Sequence, residues 1–156
     1  MNLKDLKVVF AGCARNCSDY LPKVLDNIKF YSSFFGESYL IVVENGSTDK
    51  TKEILKINKN EKNFFLFQDD ISNLPYRGQR LEKARNLIIE TIKQSSNLIN
   101  CDLFIMLDLD DMGTYRINEN DILNSINFLF SKEEIAGVFA NQLGTYYDMW
   151  TLRDNK

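Results

Sequence analysis

The chain predicts an α/β protein, a mostly parallel sheet flanked by helices and folded as a single domain over residues 1–156. Three observations carry that prediction. Apolar runs of strand length alternate with helical stripes four times or more, the order expected of strand-helix-strand units with right-handed crossovers. The runs are apolar throughout rather than in alternation, as strands covered on both faces are. The first four end in polar or charged residues, where open sheets of this class hold ligands. With 156 residues, 44% hydrophobic and 26% charged, the chain is long enough for a sizeable core. No internal repeat, low-complexity stretch or linker interrupts it.

The first strand is Val8–Ala11, ending at Gly12, with the loop Cys13–Cys17 behind it. Ser18 or Asp19 is the expected cap of the next helix, with Pro22 in its first turn. Leu21, Val24, Leu25, Ile28, Tyr31 and Phe35 recur at helical spacing, and Gly36 is the expected stop. A second strand, Tyr39–Val43, runs into Glu44-Asn45-Gly46-Ser47-Thr48-Asp49. Ser47 or Thr48 is the expected cap of a helix over about Asp49–Ile57. Asn63–Phe67 is a third strand, closed by Gln68-Asp69-Asp70. A polar loop with Pro75 and Gly78 leads to a helix from Arg80 to near Ser96, whose buried stripe is Leu81, Ala84, Ile88 and Ile92. The five apolar residues Leu103–Leu107 read as a strand buried on both faces, too short to span a membrane. A helix over Asn118–Phe130 and a strand over Ile135–Ala140 follow, then an aromatic and polar tail to Lys156 with the only Trp.

The chemistry concentrates where Leu103–Leu107 meets Asp108-Leu109-Asp110-Asp111. Along an extended chain Asp108 and Asp110 point one way and Leu109 the other. Carboxylates so close repel, and hard oxygen ligands without a thiolate suit Mg²⁺ or Mn²⁺. In a parallel sheet the other strand ends, with Arg15, Glu44 and Asp69, converge on the same crevice. Gly12 and Gly46 are expected to let backbone approach a ligand there. Glu44 and Asn45 offer partners for a base or ribose. Arg85 borders the apolar stripe of its helix, which implies partial burial and the need for an acceptor, a carboxylate or a ligand phosphate. Arg80 lies roughly 140° away around the same helix.

Other chemistries lose support. The net charge of −3 argues against general nucleic-acid or membrane-surface binding. The N-terminus lacks the apolar core of a signal peptide and no segment suits a membrane span, so a soluble, cytoplasmic chain is expected. Three cysteines, Cys13, Cys17 and Cys101, form no zinc pattern and read as reduced thiols. With no histidine, Ser-His and Cys-His hydrolase mechanisms are excluded. Neither a P-loop nor a dinucleotide fingerprint is present.

Four pieces, in order, resemble the GT-A nucleotide-sugar glycosyltransferases. Glu44-Asn45-Gly46-Ser47-Thr48-Asp49-Lys50-Thr51 is similar to their signature after the second strand. Arg80 through Arg85-Asn86 resembles their Arg…Ala-Arg-Asn helix, and Asp108-Leu109-Asp110 their Asp-x-Asp metal motif. Tyr147-Asp148-Met149-Trp150-Thr151-Leu152-Arg153-Asp154 is similar to a segment of the fungal capsule-type α-1,3-mannosyltransferases. The resemblance implies a hexosyltransferase, with mannose as the sugar of the nearest family. It implies a GDP- or UDP-sugar donor held through Mn²⁺ or Mg²⁺ and a glycan or protein acceptor. It places Glu44 on the base or ribose, Arg85 near the nucleotide, Asp108 on ribose or metal, Asp110 on metal, and Asp148 and Trp150 near sugar or acceptor. These readings assign Asp110, Asp148 and Arg85 to catalysis. Gly12, Arg15, Glu44, Asn45, Asp69, Arg80, Arg85 and Asp108 are assigned to the donor. Fungal members are larger and membrane-anchored, and GT-A enzymes continue with acceptor-binding segments. A C-terminally truncated chain, a minimal enzyme and an inactive remnant are therefore all open. Two rival functions stand beside transfer: a metal-dependent nucleotidyltransferase, for which the loop after the first strand has too few glycines and cations, and a non-catalytic nucleotide-sugar-binding module.

Overall fold

A computed structural model of the chain describes residues 2–59, 61–68, 71 and 73–139. Among them are four strands, β1 (Lys7–Ala14), β2 (Glu37–Glu44), β3 (Phe64–Gln68) and β4 (Leu103–Met106). There are five α-helices, α1 (Leu21–Ser32), α2 (Thr51–Asn58), α3 (Arg77–Gln94), α4 (Ser96–Ile99) and α5 (Glu119–Leu129). The strands form one sheet in the order β3-β2-β1-β4, and every pair is parallel. The residues group into two compact units, Met1–Glu119 and Asn120–Lys156. The first holds the whole sheet. The second holds most of α5, whose buried residue is Ile126.

The expected α1 stripe is buried from Leu21 to Tyr31, with Phe35 just beyond the helix. Phe10 meets Phe35 edge to face on that side of the sheet, ring centroids 6.0 Å apart. On the opposite face, Ala84 and Ile88 of α3 and Leu98 of α4 join Val9, Ala11, Tyr39, Ile41 and Val43. Local signals fared less well than the stripes. The α1 helix opens at Tyr20 with no side-chain cap, because the Cys17 carbonyl accepts from Tyr20 N and Leu21 N and turns the chain into the helix. Its end falls at Ser32, before the expected stop at Gly36. Neither Ser47 nor Thr48 caps α2; its cap position is Lys50, without a side-chain bond, and Asp49 Oδ1 just before it accepts from Thr51 N at 3.0 Å. Gly78 lies inside α3, in open space.

Two expectations about strands are corrected. β4 is not buried on both faces: Phe104 is 47% and Met106 36% exposed. Its register pairs Phe104 with Val9 and Met106 with Ala11, so these side chains share the α3 face. There α3 lies over β1 and β2 and leaves the outermost strand partly uncovered. Residues Ile135 to Phe139 form no strand, and Phe139 is 90% exposed. An apolar run becomes a strand only where a neighbouring edge takes up its N–H and C=O groups. Among the described residues, no strand offers one to this run.

Candidate donor-binding site

Asp108, Leu109 and Asp110 follow β4 after one intervening residue, Leu107. Leu109 is 2% exposed, while Asp108 and Asp110 are exposed, the alternation the sequence predicts. Leu109 is seated on Gly12. A Cβ added at Gly12 would lie 2.6 Å from Leu109 Cγ and 2.8 Å from the Leu107 carbonyl oxygen. Gly12 therefore serves close approach, but of its own chain. It lies inside β1 and is buried. The carboxylates owe their place to it, because it lets the turn after β4 settle onto β1.

Beyond the carboxylates the chain makes a 3-10 turn, Asp111–Thr114, with Asp110 Oδ1 accepting from Met112 N at 3.2 Å. Desolvation raises the Asp110 carboxyl above the usual carboxylate range. The Met112 N–H opposes this, and the charges of Asp108 and Asp111 add to the rise. Helix α1 takes hold of the same turn. Asn27 Nδ2 donates to the carbonyls of Gly113 and Thr114, each at 3.0 Å, and Asn27 Oδ1 accepts from Arg116 Nε at 2.9 Å. Arg116 lies over the Phe30 ring, 4.4 Å from its centroid. The Tyr31 hydroxyl accepts from Ile117 N at 3.0 Å and donates to the Tyr115 carbonyl at 3.3 Å.

The loops after β1 and β2 clasp each other. Asn16 N donates to Ser47 Oγ at 3.0 Å, Cys17 N to Thr51 Oγ1 at 2.9 Å and Ser18 N to Asp49 Oδ2 at 3.0 Å. Thr48 N donates back to Asn16 Oδ1 at 2.8 Å. Gly46 and Asn16 take positive φ, 61° and 50°, which Gly and Asn tolerate better than most residues. Glu44, buried, accepts from Ser47 N at 2.6 Å through Oε1 and so braces its own turn. Asn45 is 8% exposed. Its Oδ1 is buried and without a hydrogen-bond partner among the described residues. Buried polar atoms are nearly always paired, so an orphan at a strand end marks a place for a donor.

The cations sit differently from their expected places. Arg85 is exposed rather than partly buried, because α3 spends its inward face on Ala84 and Ile88. Arg80 Nη1 donates to the carbonyls of Leu74 and Pro75, at 2.5 and 3.3 Å, bracing the loop before α3. Arg15 is exposed just past β1. The charges of Arg85 and Asp108 both reach Cys13 at the end of β1. Burial raises the Cys13 thiol, the Arg85 charge lowers it and the Asp108 charge raises it. Burial likewise raises Cys17, which feels the charges of Asp49 and Asp110. The β1 loop thus lies between the β2 loop and the carboxylate turn. Asp69, Asp148, Trp150 and Arg153 lie outside the described residues. Among those described, no group of three or more His, Cys, Asp or Glu side chains converges to hold a metal. The Asn27 anchor is missed by sequence reasoning, although one signal for it exists: a lone amide inside the apolar stripe of α1.

No family model matches the chain. Over 99 residues it is 29% identical to a Mycoplasma pneumoniae protein described as an uncharacterized glycosyltransferase, the MG025 homolog. The matched part is 62% of this chain and 28% of that protein. S. aureus TarS superposes with a TM-score of 0.51 at 22% identity, over 81% of this chain and 20% of TarS. TarS 1–349 in complex with UDP gives the same score and identity over 32% of its length. TarS 1–349 alone gives 0.51 at 19% identity, over 88% of this chain and 39% of its own. The four-stranded parallel sheet with its flanking helices is accordingly a GT-A-like α/β fold, the fold this chain shares with TarS.

Proposed function

We propose that the chain is the donor-binding part of a glycosyltransferase, taking a nucleoside diphosphate sugar and passing the sugar to a hydroxyl of a glycan or protein acceptor. The observation that carries the reading is the pair Asp108 and Asp110. Both are exposed at the carboxyl end of β4, pinned by Leu109 on Gly12, beside the β1 and β2 loops of a GT-A-like sheet. The sequence similarity to the Mycoplasma glycosyltransferase supports it.

The residues present fit a divalent cation. They are hard oxygen donors, and the Asp110 carboxyl is raised first by desolvation and then by the charges of Asp108 and Asp111, all of which disfavour a charge that a cation would stabilise. Asp108 and Asp110 would hold Mn²⁺ or Mg²⁺. When bound, the cation supplies Lewis-acid neutralisation of the leaving diphosphate. Arg85, exposed and with a charge that reaches Cys13 at the end of β1, adds positive charge for the phosphates. Arg80 supports it indirectly by holding the loop before α3. Asn45 Oδ1 accepts from the base or ribose, while Glu44 keeps the turn that presents it. Arg15 stands at the rim, and Asp69 and Asp148 keep their proposed places on donor and on sugar or acceptor. The base is uracil in this reading, because the TarS fold has been seen with UDP. Guanine and mannose rest only on the resemblance of the Tyr147–Asp154 segment.

Calorimetric titration with UDP and with GDP, in Mn²⁺ and then in chelator, tests the binding step. Binding that needs the metal is expected, and equal affinity in both conditions would remove the carboxylates from the site. Release of free sugar from a UDP-sugar without acceptor tests the catalytic step against a purely binding module.

A further inference from the structure

We infer that Asn27 is the positioning residue of the carboxylate turn. Through it α1 sets where Asp108 and Asp110 stand, and so how tightly the pair takes a divalent cation. The inference rests on the reading of that turn as a cation and diphosphate site. Asn27 is fully buried, and its buried companions on α1 are Leu21, Val24, Leu25, Ile28 and Tyr31. An apolar residue would bury at that position without needing partners, whereas a buried amide is tolerated only when its donors and acceptor are met. Asn27 meets them entirely on one stretch of chain, residues 113–116. Both Nδ2 bonds go to carbonyls, which cannot donate, so the orientation of the amide is unambiguous.

The path from Asn27 to the carboxylates is short. Gly113 packs against the Asp108 carbonyl oxygen, and its missing side chain also spares both methyls of Val24, 3.1 Å from where a Cβ would stand. Gly113 N donates to the Asp110 carbonyl at 3.2 Å. Asn27 and Val24 therefore hold Gly113 from below, and Gly113 touches the backbone of both carboxylate residues. Arg116 completes the arrangement by filling Asn27 Oδ1 while stacking on Phe30. Two fixed points, α1 below and Gly12 beside, determine a turn whose functional groups face solvent.

The test uses the full chain with UDP at fixed concentration, titrates Mn²⁺, and reads free Mn²⁺ from its electron paramagnetic resonance signal. Asn27→Leu is expected to raise the Mn²⁺ needed for half-saturation about tenfold, the usual scale for groups that orient metal ligands. Arg116→Met is expected to move it less, in the same direction. Ile28→Val, on the same helix with the anchor intact, is expected to lower the melting temperature and leave the Mn²⁺ requirement unchanged. An unchanged requirement in Asn27→Leu overturns the inference, and so does an equal rise in Ile28→Val, which would reduce the effect to lost stability. If Asn27→Leu does not fold, Arg116→Met decides, because that side chain is exposed, and an unchanged requirement there overturns the inference. Wild type without Mn²⁺-dependent UDP binding overturns the reading of the turn itself, and the inference with it.

Discussion

The β1 and β2 loops close on each other, whereas the turn after β4 closes on a helix. In the first region the polar side chains Asn16, Ser47, Asp49 and Thr51 accept from backbone N–H groups across the two loops. In the second, the carboxylates face outward and the backbone is gripped from behind by Asn27, Tyr31 and Gly12. The same residue types do opposite work. A polar side chain near a strand end stabilises when backbone donors surround it. It is available to a ligand when those donors are satisfied from elsewhere. The clasp should accordingly govern stability and the turn should govern metal-dependent binding. The contrast can be broken by substitutions ordered by their expected effect on stability.

Gly12→Ala stands first. Its Cβ would meet Leu109 and the Leu107 carbonyl, so a loss of about 1–3 kcal/mol is expected in urea denaturation, together with weakened UDP binding in Mn²⁺. A well-folded variant with normal binding would show that the turn is not set by β1. Thr51→Val comes next. It keeps the shape and strands the buried Cys17 N–H, at a cost of about 1–2 kcal/mol, with the Mn²⁺ requirement of UDP binding unmoved. A shifted requirement would mean that clasp and turn are coupled.

Asp49→Asn should have a smaller and pH-dependent effect. Desolvation works against its charge, but the Thr51 hydroxyl, Ser18 N and Thr51 N hold the Asp49 carboxyl well below the usual range. A carboxyl depressed on folding adds stability above its unfolded pKa of about 3.9, and that stability is lost as pH falls from there through the folded value. Since Asp49 is exposed, the gap between wild type and variant at neutral pH should be under about 1 kcal/mol. Melting curves should show it closing below about pH 4; a gap that widens with acid would contradict the clasp. Asp110→Asn should leave apo stability within about 0.5 kcal/mol of wild type or raise it slightly, because repulsion from Asp108 and Asp111 is relieved. Metal-dependent UDP binding should fall sharply. A clear loss of stability in chelator with metal binding intact would make Asp110 a structural cap, through Met112, and nothing more.

The parallel sheet was legible because each strand is an apolar run and each helix a stripe, signals that follow directly from burial. The outer face of β4 was not, because Phe104 and Met106 look the same in sequence whether or not a helix covers them. The exposed Asp108 and Asp110 with Leu109 turned inward follow from strand alternation alone. Gly12 shows the limit of such reading. A glycine announces a close approach but not what approaches, and Leu109 is seated on it. Arg85 was misjudged because bordering an apolar stripe does not bury a side chain long enough to reach past it. Caps failed at Ser18, Ser47 and Thr48 because these segments bond across loops rather than along them. Ser47 Oγ, for example, serves Asn16.

The anchor between α1 and the turn has a consequence for how the chain acquires its function. Asn27 and the carbonyls it grips are 86 and 87 residues apart in sequence. Closing so long a loop loses conformational entropy that a few hydrogen bonds do not offset. The pairing of β4 with β1 must bring the segments together first. Contacts within the β1-α1-β2 segment, which spans far fewer residues, can form well before. Competence to hold a ligand therefore arrives late in folding, and in the native protein the turn should be among the first parts to open. In hydrogen exchange the amides of Gly113 and Ile117 would lose protection while the central strands still keep theirs. A ligand that binds only the closed turn would raise that protection toward the level of the strands.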